Sequence, residues 1–192
     1  MFKKGLEESI ALKTKILHDQ DFMKSLEELA TLLSRTFKAG NKVLFCGNGG
    51  SAADAQHLAA ELSGRFYRNR PALPAEALHV NTSFLTAIAN DYGYHYVYAR
   101  MIEAIGLHGD VLIAISTSGN SENIVKAVEA AREKGMITLA LTGEGGGQLR
   151  AISDYCLAVP SKDTPRIQEV HILLGHLLCE SVENDLFPAD EF

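Results

Sequence analysis

The chain has 192 residues, 46% of them hydrophobic and 22% charged, with a formal net charge of −6. That is room for one substantial domain of ordinary globular composition. The acidic balance, with Lys and Arg scattered, excludes nucleic acid as the main partner, and no apolar run reaches the roughly 18 residues of a membrane helix.

The opening stretch, MFKKGLEESIALKTK, has two lysines but no apolar segment behind them, so it does not read as a signal peptide. Apolar residues at Phe2, Leu6, Ile10, Ile16 and Leu17 predict one helix. Phe22, Leu26, Leu29, Leu33 and Phe37 predict a second that ends at Gly40. From residue 42 the pattern becomes alternating strand and helix. Strands are expected at 42–46, 76–80, 110–115, 136–141 and 154–159. Helices are expected at 51–63, 83–106 with a break at Asp91-Tyr92-Gly93, 121–134, a short one after 147, and 164–185. Continuous apolar strands separated by helices imply a parallel sheet covered on both faces. The expected fold is therefore α/β, a three-layer αβα sandwich around a five-stranded flavodoxin-like sheet. The expected division is 1–40 as an N-terminal helical hairpin of the same domain and 41–192 as the αβα body. Cys46, Cys156 and Cys179 are odd in number, far apart and without zinc spacing, as in a reduced cytoplasmic chain.

Ligands of such folds bind at the carboxyl ends of the strands. After the first strand stands Gly47-Asn48-Gly49-Gly50-Ser51, a formal G-x-G-x-x-A match. A dinucleotide site would need an acidic residue at the end of the second strand, and Asn81, Thr82 and Ser83 stand there instead. After the third strand, STSGNS places the hydroxyls of Ser116, Thr117, Ser118 and Ser121 just before a helix N-terminus. Exposed amides, a helix dipole and several hydroxyl donors suit a phosphate without any lysine. One such residue would be an ordinary cap, whereas four with a glycine point to an anion site. Gly145-Gly146-Gly147 reads as a flexible turn rather than a ligand contact.

His57 and Glu61 are one turn apart and share a helix face, where they could pair in solvent or ligate one metal ion. The last helix is apolar except for Gln168, Glu169, His171 and His176, and polar groups buried in it need partners. His171 reads as a core histidine, as do His18, His79, His95 and His108, which no neighbouring residue singles out. His176 divides evenly between a core histidine and a functional one.

Together, CGNGGSAADAQHLAAELSGR, AIANDYG, GDVLIAISTSGNSENIVKA, ALTGEGGG and RIQEVH resemble the SIS (sugar isomerase) family, with the nearest likeness to its sedoheptulose 7-phosphate isomerases. The resemblance implies an aldose–ketose isomerase that makes D-glycero-D-manno-heptose 7-phosphate for lipopolysaccharide core or capsule. It further implies a cytoplasmic homotetramer with sites near subunit interfaces. Asn48, Gly49, Gly50, Asn90, Asp91, Ser116, Thr117, Ser118 and Ser121 would contact the sugar phosphate, with Ser51, Arg65, Glu61 and Gln168 beside them. His57, Glu61, Gln168 and His176 would hold one Zn2+. Glu61 and His176 would be the acid/base pair, in either order at carbon and oxygen. ENDLFP and LTAIAND also resemble a non-catalytic SIS branch, the DnaA initiator-associating proteins, which looks to have lost the helix glutamate kept here as Glu61. Pro165, where the isomerases often carry an acidic residue, departs from their pattern. Gln168 and His176 lie about 12 Å apart along one helix axis, so they converge on one ion only by leaning together or through two chains.

Overall fold

The computed structural model describes residues 2–188. Met1 and residues 189–192, which the expected division includes, lie outside the described residues. Five strands, β1 (Val43–Gly47), β2 (Ala75–Ala77), β3 (Val111–Ser116), β4 (Ile137–Thr142) and β5 (Tyr155–Ala158), form one all-parallel sheet in the order β2-β1-β3-β4-β5. Eight α-helices accompany them: α1 (Phe2–Leu17), α2 (Gln20–Lys38), α3 (Gly50–Ser63), α4 (Thr82–Asp91), α5 (Val97–Ile105), α6 (Glu122–Glu133), α7 (Gly147–Ile152) and α8 (Thr164–Leu186). The strand order is that of the doubly wound flavodoxin-like sheet.

The continuous apolar strands serve both faces by alternation. Val43, Phe45, Val111, Ile113, Ile115, Leu139 and Leu141 point into one core with α2, α3 and α8. Leu44, Cys46, Leu112, Ala114 and Ala140 point into the other, against Tyr98, Ile102, Ile124 and Val128 of α5 and α6. A strand buried on both faces has no polar positions to alternate, which is why these runs read as unbroken. The expected second strand, 76–80, shrinks to three residues. It is an edge strand paired only with β1, and it ends in a turn in which the Val80 amide donates to the Ala77 carbonyl at 3.3 Å, before Asn81 caps α4 by accepting from the Phe84 amide at 3.0 Å. The expected break in 83–106 is a short 3-10 turn, Tyr94–Tyr96, between α4 and α5.

Two helices run parallel beneath the first loop. Gly50 of α3 abuts Gln168 of α8, and eight residues on, Leu58 abuts Gly175. A Cβ on Gly175 would stand 2.3 Å from the Leu58 Cδ1, so the glycine permits the close approach that brings the two helices' polar residues together. At the start of α8 Asp163 is the N-cap and Pro165 lies in the first turn, exposed, where a missing N–H costs nothing. The triple glycine is not a loose connector. Gly145, Gly146 and Gly147 all have positive φ, and the turn packs on the hydroxyl loop closely enough that a Cβ on Gly119 would meet the Gly146 carbonyl at 2.0 Å. None of the helices among the described residues is long and apolar enough to cross a membrane.

Candidate active site

The carboxyl ends of β1 and β3 present the two loops singled out in the sequence. In the first, Asn48 is held rather than free: its amide and that of Asn123, in the first turn of α6, exchange two hydrogen bonds of 2.8 Å. The Tyr94 hydroxyl donates to the same Asn48 Oδ1 at 3.2 Å, and the buried Tyr98 hydroxyl donates to the Gly47 carbonyl. Gly49 and Gly50 are exposed at the mouth of α3, whereas Ser51 is buried under it. In the second loop the Ser116 hydroxyl lies 3.1 Å from that of Ser121 and 3.4 Å from that of Ser118. Three hydroxyls thus converge on the N-terminus of α6, and the N-cap Ser121 spends no side-chain bond on the helix itself. Thr117 and Ser118 also line an adjoining cavity of about 210 Å3 with Glu144, Ser161, Lys162 and Thr164. Pro165 takes no part in that wall. Asn90 and Asp91 end α4 and bond to each other at 2.8 Å, exposed. Arg65 is exposed just beyond α3.

Farther along the parallel pair, His57 Nε2 lies 3.0 Å from Glu61 Oε1 and 3.3 Å from His176 Nε2. Among the described residues, His57, Glu61 and His176 each offer one ligand atom, all within 4.8 Å of one another. The donor set tests well against a divalent cation. Zinc takes imidazole nitrogen and carboxylate oxygen at about 2.0–2.2 Å, and a tetrahedron of such bonds has edges near 3.4 Å, close to the 3.0 and 3.3 Å that separate His57 from Glu61 and His176. A single proton on His57 Nε2 cannot serve both neighbours, so two ring nitrogens facing each other at 3.3 Å suit a shared cation. The Gln168 amide lies against Gly50 in the first turn of α3. The Phe66 ring leans on His176 with centroids 5.6 Å apart. One turn before His57, burial pushes the Asp54 carboxyl above its usual range, with the positive potential of His57 opposing the shift.

Some residues that brace the site left no mark in the sequence. Asn123 looked like any polar residue opening a helix, and Tyr94 like part of a loop. Buried Arg70 and Glu183 looked like surface charges, although their side chains are 1% and 2% exposed and pair at 3.0 Å.

The SIS domain family matches residues 6–143. The chain belongs to the SIS-domain family. It is 51% identical over 185 residues to a phosphoheptose isomerase of Aneurinibacillus thermoaerophilus, covering 96% of this chain and 93% of that one. It is 57% identical to the phosphoheptose isomerase of Akkermansia muciniphila over 84% of this chain and 86% of the relative. Among solved structures it superposes on a phosphoheptose isomerase from Neisseria gonorrhoeae with a TM-score of 0.89 and 44% identity, over 95% and 97% of the two chains. The corresponding values for the Francisella tularensis phosphoheptose isomerase are 0.91 and 37%, over 95% and 96%. In this SIS chain the hydroxyl loop and the His57, Glu61, His176 group therefore sit on a scaffold shared with named isomerases.

Proposed function

We propose that this SIS-domain chain is a phosphoheptose isomerase that interconverts sedoheptulose 7-phosphate and D-glycero-D-manno-heptose 7-phosphate. The observation that carries the reading is the convergence of His57, Glu61 and His176 within 4.8 Å, on a fold whose relatives at 51% and 57% identity bear that name. The hydroxyls of Ser116, Thr117, Ser118 and Ser121, with the α6 N-terminus, take the phosphate. Asn48, Gly49, Gly50 and Ser51, with Arg65, Asn90, Asp91 and Gln168, line the path of the sugar.

Ketose-to-aldose conversion moves one proton between C1 and C2 and another between the two oxygens. It requires a base at carbon, an acid/base at oxygen and stabilisation of the enediolate charge. Glu61 takes the carbon-bound proton from C1 and returns it to C2. His176 shuttles the oxygen-bound proton. A divalent cation held by His57, Glu61 and His176, with Gln168 as a fourth ligand, would polarise the carbonyl as a Lewis acid. The anchored phosphate at the far end of the sugar fixes C1 and C2 against these groups, so that remote binding energy is converted into orientation.

The enzyme is read as a cytoplasmic homotetramer that serves the heptose supply of lipopolysaccharide core or capsule. Support for the assembly comes from α1, the first helix of the 1–40 hairpin, whose Phe2, Leu6 and Ile10 form an apolar row 63–86% exposed. Exposed apolar rows of this kind mark contact surfaces. Light scattering should report four chains, and a monomer mass would remove the assembly from the account. The chemistry is tested by Glu61→Gln, which keeps shape and removes the base. Turnover of sedoheptulose 7-phosphate should fall by at least about 100-fold, the scale of a lost general base, while calorimetry still detects sugar-phosphate binding. Full steady-state activity in the variant would refute the role given to Glu61.

A further inference from the structure

The Glu183 carboxylate is a hub. It lies on α8 seven residues after His176, about two turns along the same face. Its Oε1 accepts from the backbone amides of Tyr67 and Arg68, both at 2.8 Å, and its Oε2 accepts from the Phe66 amide at 3.1 Å and Arg70 Nε at 3.0 Å. Three consecutive amides of the segment after α3 are thus gathered on one buried carboxylate. Arg70 turns its remaining donors mainly to the end of α3, with one further bond from Nη1 to the Pro71 carbonyl at 3.0 Å. Its Nη2 donates to the Glu61 carbonyl at 2.8 Å, and its Nη1 to those of Leu62 at 2.8 Å and Gly64 at 3.3 Å. The last turn of α3 leaves its carbonyls without helical partners, and the guanidinium takes them up.

The two groups therefore join α8 to α3 at the level of the chemistry. One end of the pair is covalently part of the helix that carries His176. The other holds the backbone of Glu61 itself. Between them they fix the segment whose Phe66 ring rests on His176. Four hydrogen bonds, each with a charged acceptor, define one geometry for that segment.

We infer that Glu183 and Arg70 are positioning residues, a buried clamp that sets the separation of His57 and Glu61 from His176 and seats Phe66 against the His176 ring. The inference rests on the isomerase reading above only for what the positioned groups do. Outer partners that orient ligands in this way typically carry about 10–100-fold in metal affinity or activity.

The test uses the full chain with Glu183→Gln, whose amide must turn an N–H toward donors, and Arg70→Lys, which keeps the charge but cannot fan across the α3 carbonyls. Asn184→Ala, which removes only the exposed 2.7 Å contact with Arg68, serves as the control. Measurements are made well below each variant's melting temperature. The clamp predicts Co2+ affinity and kcat lowered by about 10–100-fold, KM for sedoheptulose 7-phosphate within about two-fold, and crystal structures in which residues 64–70 and the spacing of His57 from His176 have shifted. Asn184→Ala should match the wild type. Should Glu183→Gln fail to fold, Arg70→Lys decides by the same readouts. A lower melting temperature with unchanged Co2+ affinity, unchanged kcat and superposing His57, Glu61 and His176 would overturn the inference. If the wild type itself turns over no sugar phosphate, the isomerase reading fails, and Co2+ affinity with the crystal structures still decides the clamp.

Discussion

His171 and His176 share a helix five residues apart, yet their imidazoles sit in different media. His176 is half-buried among His57, Glu61 and Phe66. His171 is 0% exposed, with Nε2 donating to the Thr142 carbonyl at 3.0 Å. That is the core histidine expected of it. Burial holds its pKa down to about 4, with the Thr142 carbonyl opposing. Because the folded value lies below the unfolded one, the unfolded chain takes up the proton first as pH falls. Stability from the neutral ring is complete above about pH 6.5 and is lost between there and about pH 4, a loss of about 3 kcal/mol when fully developed. Carboxylates also titrate in this range, so the comparison must be between variants. Urea unfolding at pH 7 and at pH 4.5 should show a larger loss of stability for the wild type than for His171→Gln, which can still donate to Thr142. Equal losses would mean that His171 does not carry this dependence.

At the scale of elements, most of the architecture was legible because each signal was local. The apolar runs of β1, β3 and β4 and the break before Tyr94 all lie within a few residues of the structure they specify. The second strand was overextended because Leu78 and Val80 continue its apolar pattern, while its ladder stops at Ala77. The hydroxyl loop announced itself by four side chains in six residues. What could not be read was pairing across the chain. Asn48 and Asn123 are 75 residues apart, and Arg70 and Glu183 are 113. A buried ion pair has no periodicity to distinguish it from two solvated charges, and burial of such a pair is a property of the assembled layers. The packing of the triple-glycine turn is hidden for the same reason. Its looseness in sequence is a close fit in space, against Gly119 of a loop more than twenty residues earlier.

Across the whole molecule, one helix pair joins the fold to the chemistry. The parallel run of α3 and α8, allowed by Gly175 and locked by Arg70 and Glu183, delivers His57 and Glu61 to His176. In the proposed reading the sheet supplies the phosphate end separately, through the β3–α6 loop. On that reading binding and chemistry come from different elements of one scaffold. His57 and Glu61 retain side-chain exposures of 49% and 25%, open enough to meet substrate. The measurement that bears most directly on this account is an isomerase assay on sedoheptulose 7-phosphate after exhaustive chelation, repeated as Zn2+ is added back. Aldoheptose phosphate should form at a rate that collapses on chelation and recovers with about one Zn2+ per site. No turnover with any divalent ion would contradict the enzyme reading and leave a sugar-phosphate-binding SIS protein in its place.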